Sequence, residues 1–257
     1  MDHTRARSSA RAGSVTADPR GNVRAPLAEP AHQRPEFIRA RDEKGTALST
    51  TDVTTSEVDG MATTTAVVDA PSSDSSPSFA ELGVRPEIVT ALAERGITHT
   101  FAIQELTLPL ALAGSDLIGQ ARTGMGKTYG FGVPLLNRIS VGEKTRELDG
   151  TPRALIIVPT RELCIQVTQD LKIAATGLTA PHGSGTRPLK VLAIYGGTPY
   201  EQQTDALEKG VDVVVGTPGR LLDLANQSKL VLGKVEVLVL DEADEMLDLG
   251  FLPDIEK

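Results

Sequence analysis

Short, unbroken runs of Val, Ile and Leu set the tightest limit on what this chain can fold into. They read DLIGQ (116–120), ALIIVP (154–159), KVLAIY (190–195), DVVVG (212–216) and VEVLVLD (235–241), each bounded by Gly, Pro or a charge. A run without polar alternation predicts a strand covered on both faces. Between the runs, residues 127–139, 160–175, 199–209 and 217–226 read as helices. Strands alternating with helices predict an α/β domain, a parallel sheet flanked by helices. Right-handed crossovers then bring all strand C-termini to one edge. Upstream, RPEIVTALAERG (85–96) predicts a helix with Pro86 at its start, Gly96 just past its end, and Ile88, Leu92 and Arg95 at helical spacing. A second helix is expected through FAIQELTLPLALAG (101–114). Two segments, 140–152 and 177–189, read as irregular loops, the second rich in Gly and Pro and expected to be mobile.

The loop after the first run is ARTGMGKT, residues 121–128. Strand, glycine-rich loop and helix, in that order, let backbone N–H groups and a helix N-terminus converge on phosphate. Gly124 and Gly126 permit close approach, Lys127 is placed to reach the β- and γ-phosphates, and Thr128 to hold Mg²⁺. Ala121 stands where the usual pattern has glycine, a difference of one methyl. The last run delivers Asp241 and Glu242 to the same edge. Adjacent residues at a strand end point differently, so two carboxylates can divide two tasks. Asp241 is assigned to the metal ion and Glu242 to orienting or deprotonating an attacking water. Lys127, Asp241 and Glu242 are therefore the candidate catalytic set. An acidic pair can also simply favour the N-terminus of a following helix.

Composition narrows the classes further. A net charge of −8 gives no global basic footprint, though it leaves room for a local basic groove. The single cysteine, Cys164, forms no internal disulfide and suits a reducing cytoplasm. No apolar run reaches the roughly 18 residues of a membrane span, and no apolar core follows the N-terminal arginines as in a secretory signal. Residues 1–78 are rich in Ser, Thr, Pro and scattered charge, as in APSSDSSPS (70–78), and are expected to be a disordered tail. Met61 is a candidate alternative start. Arg5, Arg7 and Arg11 offer a second reading of the tail, as an arm touching nucleic acid or a protein partner, although nearby acids blunt them.

The ordered motifs resemble those of the DEAD-box RNA helicases. DEAD (241–244) is that family's namesake, and ARTGMGKT is similar to its phosphate loop, whose first position is commonly alanine. PTREL (159–163), GG (196–197) and TPGR (217–220) resemble three further motifs in order, and GITHTFAIQ (96–104) resembles the adenine-reading segment. The resemblance spans Phe79 to Lys257. It implies a RecA-like P-loop domain that binds ATP and Mg²⁺, with Ala121, Arg122, Thr123, Gly124, Met125, Gly126, Lys127 and Thr128 around the phosphates. It implies that Gln104 bonds the adenine edge and Phe79 stacks on the base. It places RNA at Thr160, Arg161, Gly196, Gly197, Thr217, Gly219 and Arg220, through backbone contacts that carry little sequence information.

The chain departs from the family where Thr100 and Phe101 replace a Pro-Thr pair, which removes a threonine able to support the loop. Met125 is larger than the usual residue and is expected to point outward, and Cys164 is expected to be a small buried hydrophobe. The family continues beyond the DEAD motif with a Ser-Ala-Thr strand and a second RecA-like domain. Residues 79–257 are thus expected to be an N-terminal domain, incomplete at its C-terminus, that binds nucleotide but hydrolyses almost none by itself. Two rival readings are a DNA-directed helicase of the same superfamily and a nucleotide-gated RNA-binding fragment that does not hydrolyse.

Overall fold

The computed structural model describes residues 51–58, 61–68, 76–122, 124–140, 149–182 and 184–257, all within one unit, Phe37–Lys257. Two strands come first, β1 (Thr51–Val58) and β2 (Met61–Val68), then helices α1 (Pro86–Ala93) and α2 (Ala102–Leu112). Next are β3 (Leu117–Ala121), α3 (Lys127–Ser140), β4 (Ala154–Ile157) and α4 (Arg161–Ala174), followed by a hairpin of β5 (Thr179–His182) and β6 (Gly185–Pro188). The chain continues through β7 (Val191–Ile194), α5 (Tyr200–Glu208), β8 (Val213–Gly216), α6 (Pro218–Asn226) and β9 (Val237–Leu240). Two short helices close it, α7 (Ala243–Asp248) and α8 (Leu252–Ile255).

The central layer is a four-stranded sheet in the order β7-β8-β4-β9, parallel throughout. Strand side chains alternate between faces, and here both faces are covered. Ala154, Ile156, Val213 and Val215 enter one core with Leu136, Val167 and Leu171; Leu155, Ile157 and Val214 enter the other with Leu207, Leu221 and Leu224. For β4 and β8, buried along their whole length, this is why the runs lack polar alternation; β3 and β9, expected to be covered on both faces as well, are partly exposed. β9 is an edge strand, and its Leu238 and Leu240, in register with Leu155 and Ile157, are exposed. Cys164 is fully buried, its thiol donates to the Val215 carbonyl at 3.2 Å, and burial pushes its pKa up to about 11. Among the described residues no helix is long and apolar enough to cross a membrane.

Three expectations are corrected. The expected tail holds two strands between residues 51 and 68: β1 pairs antiparallel with β2, and β2 pairs in parallel with β3. Both are rich in β-branched Thr and Val, which favour strands, and Asp59-Gly60 between them is a strong hairpin dipeptide in sequence. Residues 1–50 and 69–75 of the expected tail lie outside the described residues. Second, β3 is not bonded to the four-stranded sheet but forms a separate sheet with β1 and β2. A strand's partner is set by whichever edge lies beside it, which periodicity does not encode. Third, the segment expected to be an irregular loop carries the β5–β6 pair. Its Arg187 forks onto Asp212 with two bonds of 2.7 Å, and Asp212, fully buried, also accepts from the Lys190 backbone N–H at 2.8 Å. Within the other predicted loop, residues 141–148 lie outside the described residues.

Candidate functional site

The segment from Ala121 to Thr128 leaves β3 and enters α3 at Lys127. Gly124 and Gly126 have φ of +86° and +77°, in the region open to glycine. Gly126 also has no room for a side chain: a Cβ there would stand 2.8 Å from Cδ2 of Phe101 and closer still to Nε2 of Gln104. The Gln104 amide explains the crowding. Its Nε2 donates to the Gly126 carbonyl at 2.7 Å, and its Oε1 accepts from the Phe101 backbone N–H at 2.9 Å. Gln104 thus braces the loop from α2, a support that the missing threonine had left in question. Arg122 is exposed, Met125 is half-buried, and Thr128 lies half-buried in the first turn of α3. Thr123 lies outside the described residues.

In this fold both residues expected at the base are turned inward. Gln104 is 1% exposed, and both ends of its amide are engaged with Phe101 and the loop. Phe79 is also 1% exposed and sits in the core with Val84, Ile88 and Leu92. An aromatic near a helix start reads the same in sequence whether it fills a core or lines a pocket.

The acidic pair follows β9, as expected. Nζ of Lys127 lies 2.6 Å from Oε1 of Glu242, across 115 residues of sequence, and both side chains keep part of their surface exposed. A carboxylate thus occupies the position of an anion on the loop lysine. Glu242 has φ +51° and ψ +50°, a left-handed conformation uncommon for a residue with a side chain. Asp241 is 8% exposed, and its Oδ1 accepts from the Glu242 backbone N–H at 3.1 Å. Burial raises the Asp241 pKa against the opposing pull of Lys127. Among the described residues no three His, Cys, Asp or Glu side chains gather as a metal cage. The donor set is one carboxylate and one hydroxyl, which fits a Mg²⁺ ion completed by phosphate oxygens and water.

The remaining expected residues follow β4, β7 and β8 at the same C-terminal edge. Thr160 caps α4, its Oγ1 accepting from the Leu163 N–H at 3.3 Å. Thr217 holds the equivalent place before α6, but its hydroxyl makes no capping bond. Gly196, Gly197 and Gly219 are exposed, and Gly197 has φ +78°. Arg161 lies over the Tyr195 ring, 5.0 Å from its centroid, and Arg220 lies over Tyr200 at 5.3 Å. Sequence reasoning missed Tyr195, Tyr200 and Gln203, whose Nε2 donates to the Tyr195 carbonyl at 3.1 Å. The available signal was aromatic scarcity: the chain has 3 Tyr and no Trp, and two of those tyrosines flank Gly196-Gly197.

A family model described as DEAD/DEAH box helicase matches residues 101–257. The chain is 48% identical over 182 residues to the chloroplastic DEAD-box ATP-dependent RNA helicase 3A of Zea mays, a match covering 70% of this chain and 23% of that protein. It is 42% identical over 183 residues to the ATP-dependent RNA helicase DeaD of Mycobacterium tuberculosis, covering 71% of this chain and 30% of that one. The chain therefore spans less than a third of either relative. Among solved structures, a DEAD box protein from Methanococcus jannaschii superposes with a TM-score of 0.59 at 38% identity, covering 70% of this chain and 45% of that one. The RNA-helicase Prp28 from Chaetomium thermophilum, bound to ADP, superposes with a TM-score of 0.60 at 32% identity, covering 72% and 42%.

Proposed function

We propose that this chain, which belongs to the DEAD/DEAH box helicase family, forms the nucleotide-binding part of an ATP-dependent RNA helicase. The longer protein would separate RNA duplexes locally as it hydrolyses ATP. The observation that carries this reading is the 2.6 Å pair between Lys127 and Glu242. A triphosphate arriving at the loop competes with Glu242 for the lysine. Lys127 then turns to the β- and γ-phosphates, and the released carboxylate is free to orient or deprotonate a water. The loop N–H groups and the start of α3 hold the phosphates, and the brace from Gln104 fixes the Gly126 carbonyl so that those N–H groups keep their aim.

Thr128 and Asp241 are the residues proposed to hold Mg²⁺. The ion, when bound, offsets phosphate charge. The ADP carried by the Prp28 neighbour favours an adenine nucleotide. Stabilising charge at a γ-phosphate takes cations from more than one side, so turnover is proposed for the longer protein and nucleotide binding for this chain. Arg161, Thr217, Gly196, Gly197, Gly219 and Arg220 are proposed to track an RNA backbone without reading its sequence. A cytoplasmic location suits the buried, unpaired Cys164.

Thermal unfolding with and without ATP–Mg²⁺ tests the nucleotide site. A stabilisation present in the unsubstituted chain and lost in Lys127→Ala supports it; equal stabilisation of both refutes it. Phosphate release by the longer protein, stimulated by RNA duplex but not by DNA duplex, tests the nucleic-acid assignment.

A further inference from the structure

We propose that Tyr195 and Tyr200 are positioning residues: each ring holds one edge arginine, Arg161 or Arg220, with its N–H groups turned toward an RNA phosphate. The inference rests on the RNA reading above and adds two side chains that lie outside the matched motifs.

The two stacks are alike in construction. Arg161 opens α4 after β4 and lies over Tyr195, which follows β7, two strands away in the sheet. Arg220 stands in the first turn of α6 and lies over Tyr200, which opens α5. Neither arginine side chain forms a salt bridge or hydrogen bond among the described residues, whereas Arg85, Arg153 and Arg187 are each paired with a carboxylate. A stacked guanidinium uses its face and leaves its N–H rim open, the geometry that meets a phosphate with two bonds. Nη1 of Arg220 is shielded from solvent and has no acceptor.

The backbone that carries the first ring is itself held. Gln203 of α5 is buried, and its Nε2 donates to the Tyr195 carbonyl at 3.1 Å; Oγ1 of Thr198 donates to the same carbonyl at 3.1 Å. Tyr200 sits at the N-terminus of that helix, so α5 supports both stacks. The consequence is preorganisation. A free arginine loses much rotamer entropy when a ligand orders it, and these two have lost it before RNA arrives. Cation–π attraction prefers a ring face and is not reproduced by an aliphatic side chain of similar bulk.

The test uses the full chain and a fluorescently labelled oligouridine, with anisotropy read over a series of salt concentrations. Tyr195→Leu and Tyr200→Leu are expected to weaken binding about threefold to tenfold each, with Tyr→Phe variants restoring affinity to within about twofold. The salt slope should fall by about 0.7 for each phosphate that is no longer neutralised, and by the same amount in Tyr195→Leu as in Arg161→Ala. The double variant Tyr195→Leu/Arg161→Ala should bind no worse than Arg161→Ala alone. If Arg161→Ala weakens binding while Tyr195→Leu keeps the unsubstituted affinity and slope, the stacking proposal fails and the RNA reading stands. If neither Arg161→Ala nor Arg220→Ala changes binding, the RNA reading of this edge fails and takes the proposal with it. A second measurement needs no ring variant: NMR order parameters of the two arginine Nε–H groups should approach those of rigid backbone, about 0.85. Averaging like that of a free side chain would overturn the proposal.

Discussion

At the N-terminal edge of the four-stranded sheet, charge is paired off within the protein. Arg153, 3% exposed, is bonded to Glu236, Arg187 forks onto the buried Asp212, and Lys234 bonds to Asp149, whose pKa it holds well below the usual carboxylate range. At the C-terminal edge, Arg161 and Arg220 rest on tyrosine rings without a carboxylate, and Lys127 holds a glutamate that nucleotide binding is proposed to release. The difference follows from what each edge meets. A buried charge left alone costs several kcal/mol, of order 3–5 when its partner is removed, so the buried Arg153 and Asp212 must be neutralised within the protein, while the Lys234–Asp149 pair lies at the surface. The open, C-terminal edge keeps cations whose partner comes from outside. On this proposal the paired Arg153 and Arg187 serve the fold, and the stacked Arg161 and Arg220 serve a ligand.

Substitutions at the two edges put that contrast at risk. The largest effect is expected at the open edge: Glu242→Gln in the longer protein should lower RNA-stimulated phosphate release by about 10²–10⁴-fold, with nucleotide affinity retained. Turnover near normal would remove Glu242 from the chemistry. At the N-terminal edge, Asp212→Ala strands Arg187 and frees the β5–β6 hairpin, and should cost about 3–5 kcal/mol in urea denaturation. A cost below about 1 kcal/mol would show that the two edges differ less than their geometry suggests. Lys127→Ala comes next. The unsubstituted chain should gain about 2.7 kcal/mol when ATP–Mg²⁺ is present at a hundred times its Kd, and the variant should gain almost nothing by the same thermal measurement. The smallest change is expected for Arg161→Ala and Arg220→Ala, each about 1 kcal/mol or less in folding stability. Losses as large as that of Asp212→Ala would make these arginines structural after all.

Much of the scaffold was legible because its signals are local. Val213, Val214 and Val215 are all fully buried, and a strand enclosed on both faces has to be written as an apolar run. Pro86, Thr160 and Pro218 stand at helix starts where their chemistry places them. Gly124 and Gly126 were readable because positive φ leaves few other residues to choose. The β1–β2 pair was hidden, since Thr-rich polar segments resemble a tail until an edge such as β3 lies alongside. The hairpin of 179–188 was hidden because the partner that anchors it, Asp212, lies 25 residues from Arg187. The sequence also could not show that Phe79 packs in the core or that the Gln104 amide bonds the Gly126 carbonyl.

The order of residues dictates which chemical groups stand at the strand ends: a lysine behind glycines, two adjacent carboxylates, and arginines and glycines after three further strands. Which of those charges meet each other is settled in the folded chain alone. Arg153 and Glu236 are 83 residues apart, and Lys127 and Glu242 are 115 apart. Local propensity acts over a turn or two of chain, whereas pairing across such distances depends on which strands lie side by side. That choice belongs to the packing of the whole sheet, and so does the division between charges kept for folding and charges kept for a ligand.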